Sequence, residues 1–126
     1  MAKRILVVDD EDDIREVAAL SLESIAGYEV FSARSGRDAL SIAAAERPDA
    51  IVLDVMMPDM DGPTTLQKLR AQASTADIPV IFLTAKVQPS ERTRFASLGA
   101  AAVLPKPFDP LTLAAELAAA LGWPTP

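Results

Sequence analysis

The 126-residue chain contains no cysteine and no histidine. The first absence excludes disulfides, thiol nucleophiles, iron–sulfur clusters and thiolate zinc sites, and the second removes the commonest metal ligand and general base. Any chemistry therefore runs on carboxylates, hydroxyls, amines and backbone. Long apolar runs are lacking too. Lys3-Arg4 precedes Ile5-Leu6-Val7-Val8, but that run stops at Asp9, too short for a signal peptide, and no segment approaches the roughly 20 apolar residues of a membrane span. The chain reads as cytoplasmic, with no membrane partner. Basic residues are in deficit: 12 Lys+Arg against 18 Asp+Glu give a net charge of −6, which disfavours direct binding to nucleic acid or anionic lipid. Disulfides are not needed at this length, because a single domain of this size buries roughly two-thirds of the surface its unfolded chain exposes.

Short apolar runs alternate with stretches of helical period along the whole chain, the rhythm of a βα protein. Ile5-Leu6-Val7-Val8, Ala50 to Leu53 and Val80-Ile81-Phe82-Leu83 are near-continuous apolar runs, as expected of parallel strands buried on both faces. Tyr28 to Ala33 alternates more weakly and suits an edge, and Ala101 to Leu104 is a short last strand. The spacing predicts five helices between and after them. The first is capped at Asp13 with Glu16, carries Ile14, Val17, Ala18, Ser21, Leu22 and Ile25 on one stripe, and stops at Gly27. The second is capped by Ser35 and runs through Glu46. The third has Pro63 at its first position and runs to about Ala71, and the fourth lies between Pro89 and Gly99. The fifth starts from Asp109 and Pro110 and buries Leu111, Ala114, Leu117, Ala118 and Leu121. Right-handed crossovers make this an open parallel α/β sheet with helices on both faces, and such sheets carry function at the carboxyl ends of their strands.

Those ends hold Asp9 and Asp10 after the first strand, Asp54 after the third, Thr84 after the fourth and Lys106 after the fifth. Each has an ordinary alternative when taken alone. Acids before a helix favour its N-terminal dipole end, which accounts for Asp12 and Asp13; Thr84 alone could be a strand-end hydroxyl and Lys106 a surface lysine. Asp9 and Asp10 lie too close to the strand for capping. Crowded carboxylates raise one another's pKa unless a cation neutralises them, and Mg²⁺ is the natural candidate for a site of hard oxygen ligands.

These residues resemble the receiver domain of bacterial two-component response regulators. The resemblance rests on Val7-Val8-Asp9-Asp10-Glu11, on Leu53-Asp54 with Met57-Pro58 and Met60-Asp61-Gly62, on Leu83-Thr84-Ala85, and on Lys106-Pro107-Phe108. Any one of these is a weak pattern; all four in order along essentially the whole chain are strong. The resemblance implies a flavodoxin-like doubly wound sheet of strand order 2-1-3-4-5, with residues 1–122 as the receiver domain and 123–126 as a short tail or the start of a linker. It implies that Asp54 accepts a phosphoryl group from a sensor histidine kinase or phosphotransfer protein. Mg²⁺ would be held by Asp10, by Asp9 largely through water, by an oxygen of Asp54 and by the backbone carbonyl of Met56. Lys106 would supply a mobile charge and Thr84 a hydroxyl donor to the phosphoryl oxygens, and the Lys106-Pro107 bond would be cis. Such a protein is a switch and not an enzyme beyond its own phosphorylation and dephosphorylation. Its downstream target or fused output domain is reached through the fourth helix, fifth strand and fifth helix.

The chain departs from the family pattern in two respects. Val103 stands three before the lysine, where many members carry an aromatic residue that swings inward on activation. Met56 and Lys86, two after the acceptor and two after the threonine, replace amide or acidic side chains that help place a hydrolytic water. Three other readings are weaker. A flavin-binding flavodoxin would need a hydroxyl- and glycine-rich loop where five consecutive acids stand. A haloacid dehalogenase-type phosphatase commonly has a second acid where Met56 is. A silent interaction module has no reason to keep the acid pair, acceptor, threonine and lysine together. Whether the receiver stands alone or belongs to a longer regulator stays open on the sequence.

Overall fold

The structure, a computed structural model, describes residues 2–85 and 88–126. Lys86, two positions after Thr84, lies outside the described residues, as do Met1 and Val87. Among the described residues five strands, β1 (Arg4–Val8), β2 (Glu29–Ala33), β3 (Ala50–Asp54), β4 (Val80–Thr84) and β5 (Ala102–Pro105), alternate with five helices. These are α1 (Asp12–Ala26), α2 (Gly36–Glu46), α3 (Gly62–Ala71), α4 (Pro89–Ser97) and α5 (Leu113–Leu121). All strand pairs are parallel and the order is β2-β1-β3-β4-β5, the doubly wound sheet expected.

Side chains alternate across a strand, so a run buried on both faces must be apolar at every position. Ile5, Val7, Ala50, Val52, Ile81 and Leu83 point to α1 and α5, where Ala18, Leu22, Leu113 and Leu117 complete the layer. Leu6, Val8, Ile51, Leu53, Val80 and Phe82 point the other way, to α2, α3 and α4 through Ala39, Ala43, Leu66, Leu69 and Phe95. β2 forms one edge with only Ala33 buried, in accord with its weaker pattern. No helix among the described residues is long and apolar enough to cross a membrane.

Two helix starts differ from the sequence reading. Asp13 does not cap α1: the helix begins at Asp12 from Glu11, which makes no side-chain cap, because Asp9 Oδ1 accepts the Glu11 N–H at 2.8 Å and closes the turn earlier. Its buried line is Ala18, Ser21 and Leu22, with Val17 and Ile25 each 43% exposed at its margins. Asp109 and Pro110 open a turn before α5, not the helix itself; Asp109 Oδ1 accepts the N–H of Leu111 at 2.9 Å, which leaves Leu111 77% exposed and puts Leu113 in the core. Elsewhere the helix starts hold to within a residue, α3 beginning at Gly62 and not at Pro63. Ser35 caps α2 by accepting the Asp38 N–H, and Pro63 sits in the first turn of α3. Beyond α5, Trp123 is half-buried. It meets Tyr28 edge-on at 5.8 Å, lies under the Lys3 ammonium, and donates its backbone N–H to the Ala118 carbonyl.

The sheet ladder continues one residue beyond three strands. Asp9 donates its N–H to the Ala33 carbonyl at 3.1 Å, Val55 to Leu83 at 3.1 Å and Lys106 to Thr84 at 3.0 Å, so the backbone at the sheet's carboxyl edge is pinned on both sides of β4. The loop after β3 folds back tightly onto that edge. Gly62 donates to the Val55 carbonyl, and a Cβ at Gly62 would lie 2.7 Å from the Asp54 carbonyl oxygen and 2.8 Å from Val55 Cα. Neither backbone atom can move without disturbing β3. Gly62→Ala is therefore expected to lower the unfolding free energy by about 1–3 kcal/mol, the usual range for overpacking, read from urea unfolding against wild type. An unchanged midpoint and slope would show that the loop yields instead.

Candidate functional site

The carboxyl edge brings together all the residues singled out at the strand ends. Asp9 and Asp54 are 1% and 2% exposed and Thr84 is 1% exposed, whereas Asp10 is solvent-facing. One carboxylate oxygen from each of Asp9, Asp10 and Asp54 lies within 4.8 Å of the others. Lys106 reaches into this cluster from just beyond β5. Its Nζ donates to Asp9 Oδ2 at 3.0 Å and pairs with Asp54 Oδ2 at 3.2 Å and Glu11 Oε1 at 3.6 Å. The Lys106-Pro107 peptide bond is cis.

Asp54 has the least accommodation for its charge. Its Oδ1 accepts a long bond, 3.4 Å, from the Met56 N–H. Its Oδ2 is buried and, among the described residues, accepts no aligned hydrogen bond, the Lys106 ammonium being a charge neighbour and not a well-directed donor. Burial raises the Asp54 pKa to about 6, with the Asp9 charge pushing the same way; Lys106 and the Met56 N–H oppose the rise without cancelling it. For Lys106, burial works to lower the pKa, but its hydrogen bond to Asp9 and its charge contacts with Asp9 and Asp54 prevail and hold it above the ordinary lysine value. An under-neutralised, all-oxygen cluster with one orphaned buried carboxylate oxygen fits a hard divalent cation.

Beside the cluster a cavity of about 500 Å³ opens between α1 and the segment after β5, with Asp54, Met56 and Lys106 at its polar end and Ile14, Pro107 and Phe108 along its apolar wall. Met56 is 66% exposed there and offers no hydrogen-bonding side-chain group over Asp54. Val103 is buried in β5 in register with Phe82 of β4. Two contributors escaped the sequence reading. Glu11 adds its carboxylate beside Lys106, and Arg15 donates from Nη1 to the Asp9 backbone carbonyl at 2.9 Å. The available signal was positional: side chains in the first turn of a helix lean toward its N-terminus, so an arginine there reaches back over the preceding loop.

The raised Asp54 pKa fixes the sign of a pH effect. The unfolded chain ionises this carboxyl near the ordinary 3.8 and the fold only near about 6, so between these values the folded state holds more protons and loses stability as pH rises. In metal-free buffer, Asp54→Asn is expected to be more stable than wild type at pH 7.5 by about 1–3 kcal/mol, with the gap closing as pH falls through 6 toward 4. Urea unfolding at a series of pH values measures it; a gap independent of pH would refute the assignment of strain to this carboxylate.

Comparison with known proteins agrees with this fold. A family model, the response regulator receiver domain, matches residues 5–118. The response regulator MprA of Mycolicibacterium vanbaalenii is 46% identical over 126 residues, 100% of this chain and 53% of that protein. A probable transcriptional regulator, ycf27, of Porphyridium aerugineum is 44% identical over 119 residues, 94% of this chain and 48% of its own length. The chain thus spans about half the length of the curated relatives it matches. Among solved structures, the chemotaxis response regulator CheY4 of Vibrio cholerae is similar at a TM-score of 0.89 and 36% identity, over 95% of this chain and 99% of that one. With the family model spanning most of its length and the same five-stranded fold, the chain belongs to the response regulator receiver domain family.

Proposed function

We propose that the domain is a phosphorylation-activated switch in which Asp54 takes a phosphoryl group from a sensor histidine kinase or phosphotransfer protein, in a Mg²⁺-dependent reaction, and the domain then changes its affinity for a downstream target or output domain. The observation that carries this reading is Asp54 itself: a buried carboxylate with one oxygen left without an aligned donor, faced by an ammonium and open to a cavity. An Asp54 pKa of about 6 leaves the carboxylate ionised at neutral pH and able to attack phosphorus. The new P–O bond forms as the donor's P–N bond breaks, and the donor nitrogen leaves with the electron pair. Transfer of this kind spreads charge over the equatorial phosphoryl oxygens, so the protein's task is positioning and neutralisation. Lys106, a point charge on a flexible stem already 3.2 Å from Asp54, supplies a cation to those oxygens, and Thr84 at the end of β4 supplies a hydroxyl donor. Asp9, Asp10, Asp54 and the Met56 carbonyl would hold Mg²⁺, which when bound neutralises the carboxylates and the developing phosphoryl charge.

The surface of α4, β5 and α5 is the proposed output face. Phosphorylation can shift a conformational equilibrium only through contacts that differ between the two states. Thr84, at the end of β4, is the proposed sensor of the new oxygens. Val103, branched at Cβ, has few rotamers to exchange, so the change passes mainly through the backbone after Thr84 and is modest and graded.

Incubation with acetyl phosphate and MgCl₂ is expected to add one phosphate by intact mass. Labelling should vanish in Asp54→Asn or with a chelator, and fall at least about 10-fold in Lys106→Ala or Asp10→Ala. Undiminished labelling of Asp54→Asn would overturn the reading. The phosphorylated form is expected to be long-lived, because Met56 cannot hold a water in line with the Asp54–phosphorus bond. Met56→Asn should then release phosphate several-fold faster, followed by the decay of the phosphorylated mass; a rate equal to or below wild type would show that another group sets the lifetime.

A further inference from the structure

We propose that Arg15 is the positioning residue of the metal-holding acids, setting the peptide plane that joins Asp9 to Asp10. The inference rests on the reading of this edge as a divalent-cation site and concerns what holds its ligands in place.

Arg15 stands in the first turn of α1, where an arginine would ordinarily extend into water. Instead its side chain is 11% exposed and turns back over the β1–α1 loop. One guanidinium nitrogen, Nη1, donates to the Asp9 carbonyl at 2.9 Å; the other, Nη2, pairs with the Asp12 carboxylate. The carbonyl it grips belongs to the Asp9-Asp10 peptide unit, which is planar and rigid. Fixing that oxygen fixes the Asp10 nitrogen in the same plane, and with it the direction in which the Asp10 side chain leaves the backbone.

The other restraints on Asp9 do not do this. Its N–H is tied to Ala33 and its Oδ1 to the Glu11 N–H, which orient the Asp9 side of the unit. Its Oδ2 is held by Lys106, the group that the proposed transfer recruits to the phosphoryl oxygens. Among the described residues, Arg15 is thus a side chain that anchors the acid pair from outside the reacting cluster. It ties the pair to α1, which is itself packed on the sheet through Ala18 and Leu22.

Positioning and simple electrostatics predict opposite signs, so the test is decisive. A guanidinium bonded to the backbone of the acid pair repels a cation held there, so removal of its charge alone tightens Mg²⁺ binding. Loss of an orienting partner behind a metal ligand instead weakens binding by about 10- to 100-fold. The experiment is an amide chemical-shift titration of the unphosphorylated protein with MgCl₂ at constant ionic strength, on wild type, Arg15→Gln and Arg15→Lys. Wild type is expected to saturate, and Arg15→Gln to need about 10-fold more Mg²⁺. Arg15→Lys keeps the charge but cannot grip both oxygens in the same fork, and should be weaker than wild type by at least about 3-fold. If Arg15→Gln does not fold, Arg15→Lys alone carries the test. Wild-type or tighter affinity in a folded variant overturns the positioning role, whereas no saturation of wild type overturns the cation site on which it rests.

Discussion

Two carboxylates buried against one ammonium is the arrangement on which the rest of this molecule depends. Asp9 and Asp54 are sealed from solvent at the sheet edge and share Lys106, with Asp10 and Glu11 adding negative charge at the rim. Two unit charges within 4.8 Å repel by about 3 kcal/mol at an effective dielectric constant of 20. One lysine does not neutralise both: burial first, and the Asp9 charge second, hold the Asp54 pKa up at about 6 against it. Such a site persists only because the surrounding structure over-determines it: nearly every residue of β1, and all of β3 and β4, are buried between two apolar layers. Stability in the core offsets strain at the edge, the usual distribution where function needs an unfavourable cluster.

The parallel sheet is also what makes the cluster possible. Residues distant in sequence meet because every strand ends on the same side, and the ladder bonds from Asp9, Val55 and Lys106 carry sheet-grade rigidity one step past the strands. The loop after β3 is held equally closely, since Gly62 rests against the Asp54 carbonyl where a methyl group would not fit. Backbone, not side-chain packing, therefore sets the distance between Asp54 and its neighbours.

Most of this was legible in the sequence because burial on both faces writes itself as uninterrupted apolar runs, and the residue after each such run marks the functional edge. Helix starts were harder, for a specific reason. Ser35 Oγ and Asp61 Oδ1 accept from N–H groups three residues on and cap helices, whereas Asp9 and Asp109 accept from N–H groups two residues on and close turns. The residue types are the same, and only geometry separates a cap from a turn. Asp13 and Asp109 were misread on that account, and the outward placement of Val17 and Leu111 accompanies it. Arg15 escaped notice because its partner is a backbone carbonyl, which no side-chain pattern announces.

The same features constrain how a new charge at Asp54 could be felt elsewhere. Lys106 has three carboxylate neighbours and can redistribute among them, and its own N–H is bonded to the Thr84 carbonyl, so the ends of β4 and β5 respond together. Two residues inward, Phe82 and Val103 are register partners across β4 and β5, and Phe82 meets Phe95 of α4 edge-on at 5.0 Å. Both rings are fully buried, so in a close-packed layer a change of rotamer requires their neighbours to move, and Val103 is stiff at χ1. A signal leaving by this route must therefore shift the strand ends and α4 as packed units, by small displacements of backbone. Val103 itself, buried and branched at Cβ, offers little side-chain swing to carry it.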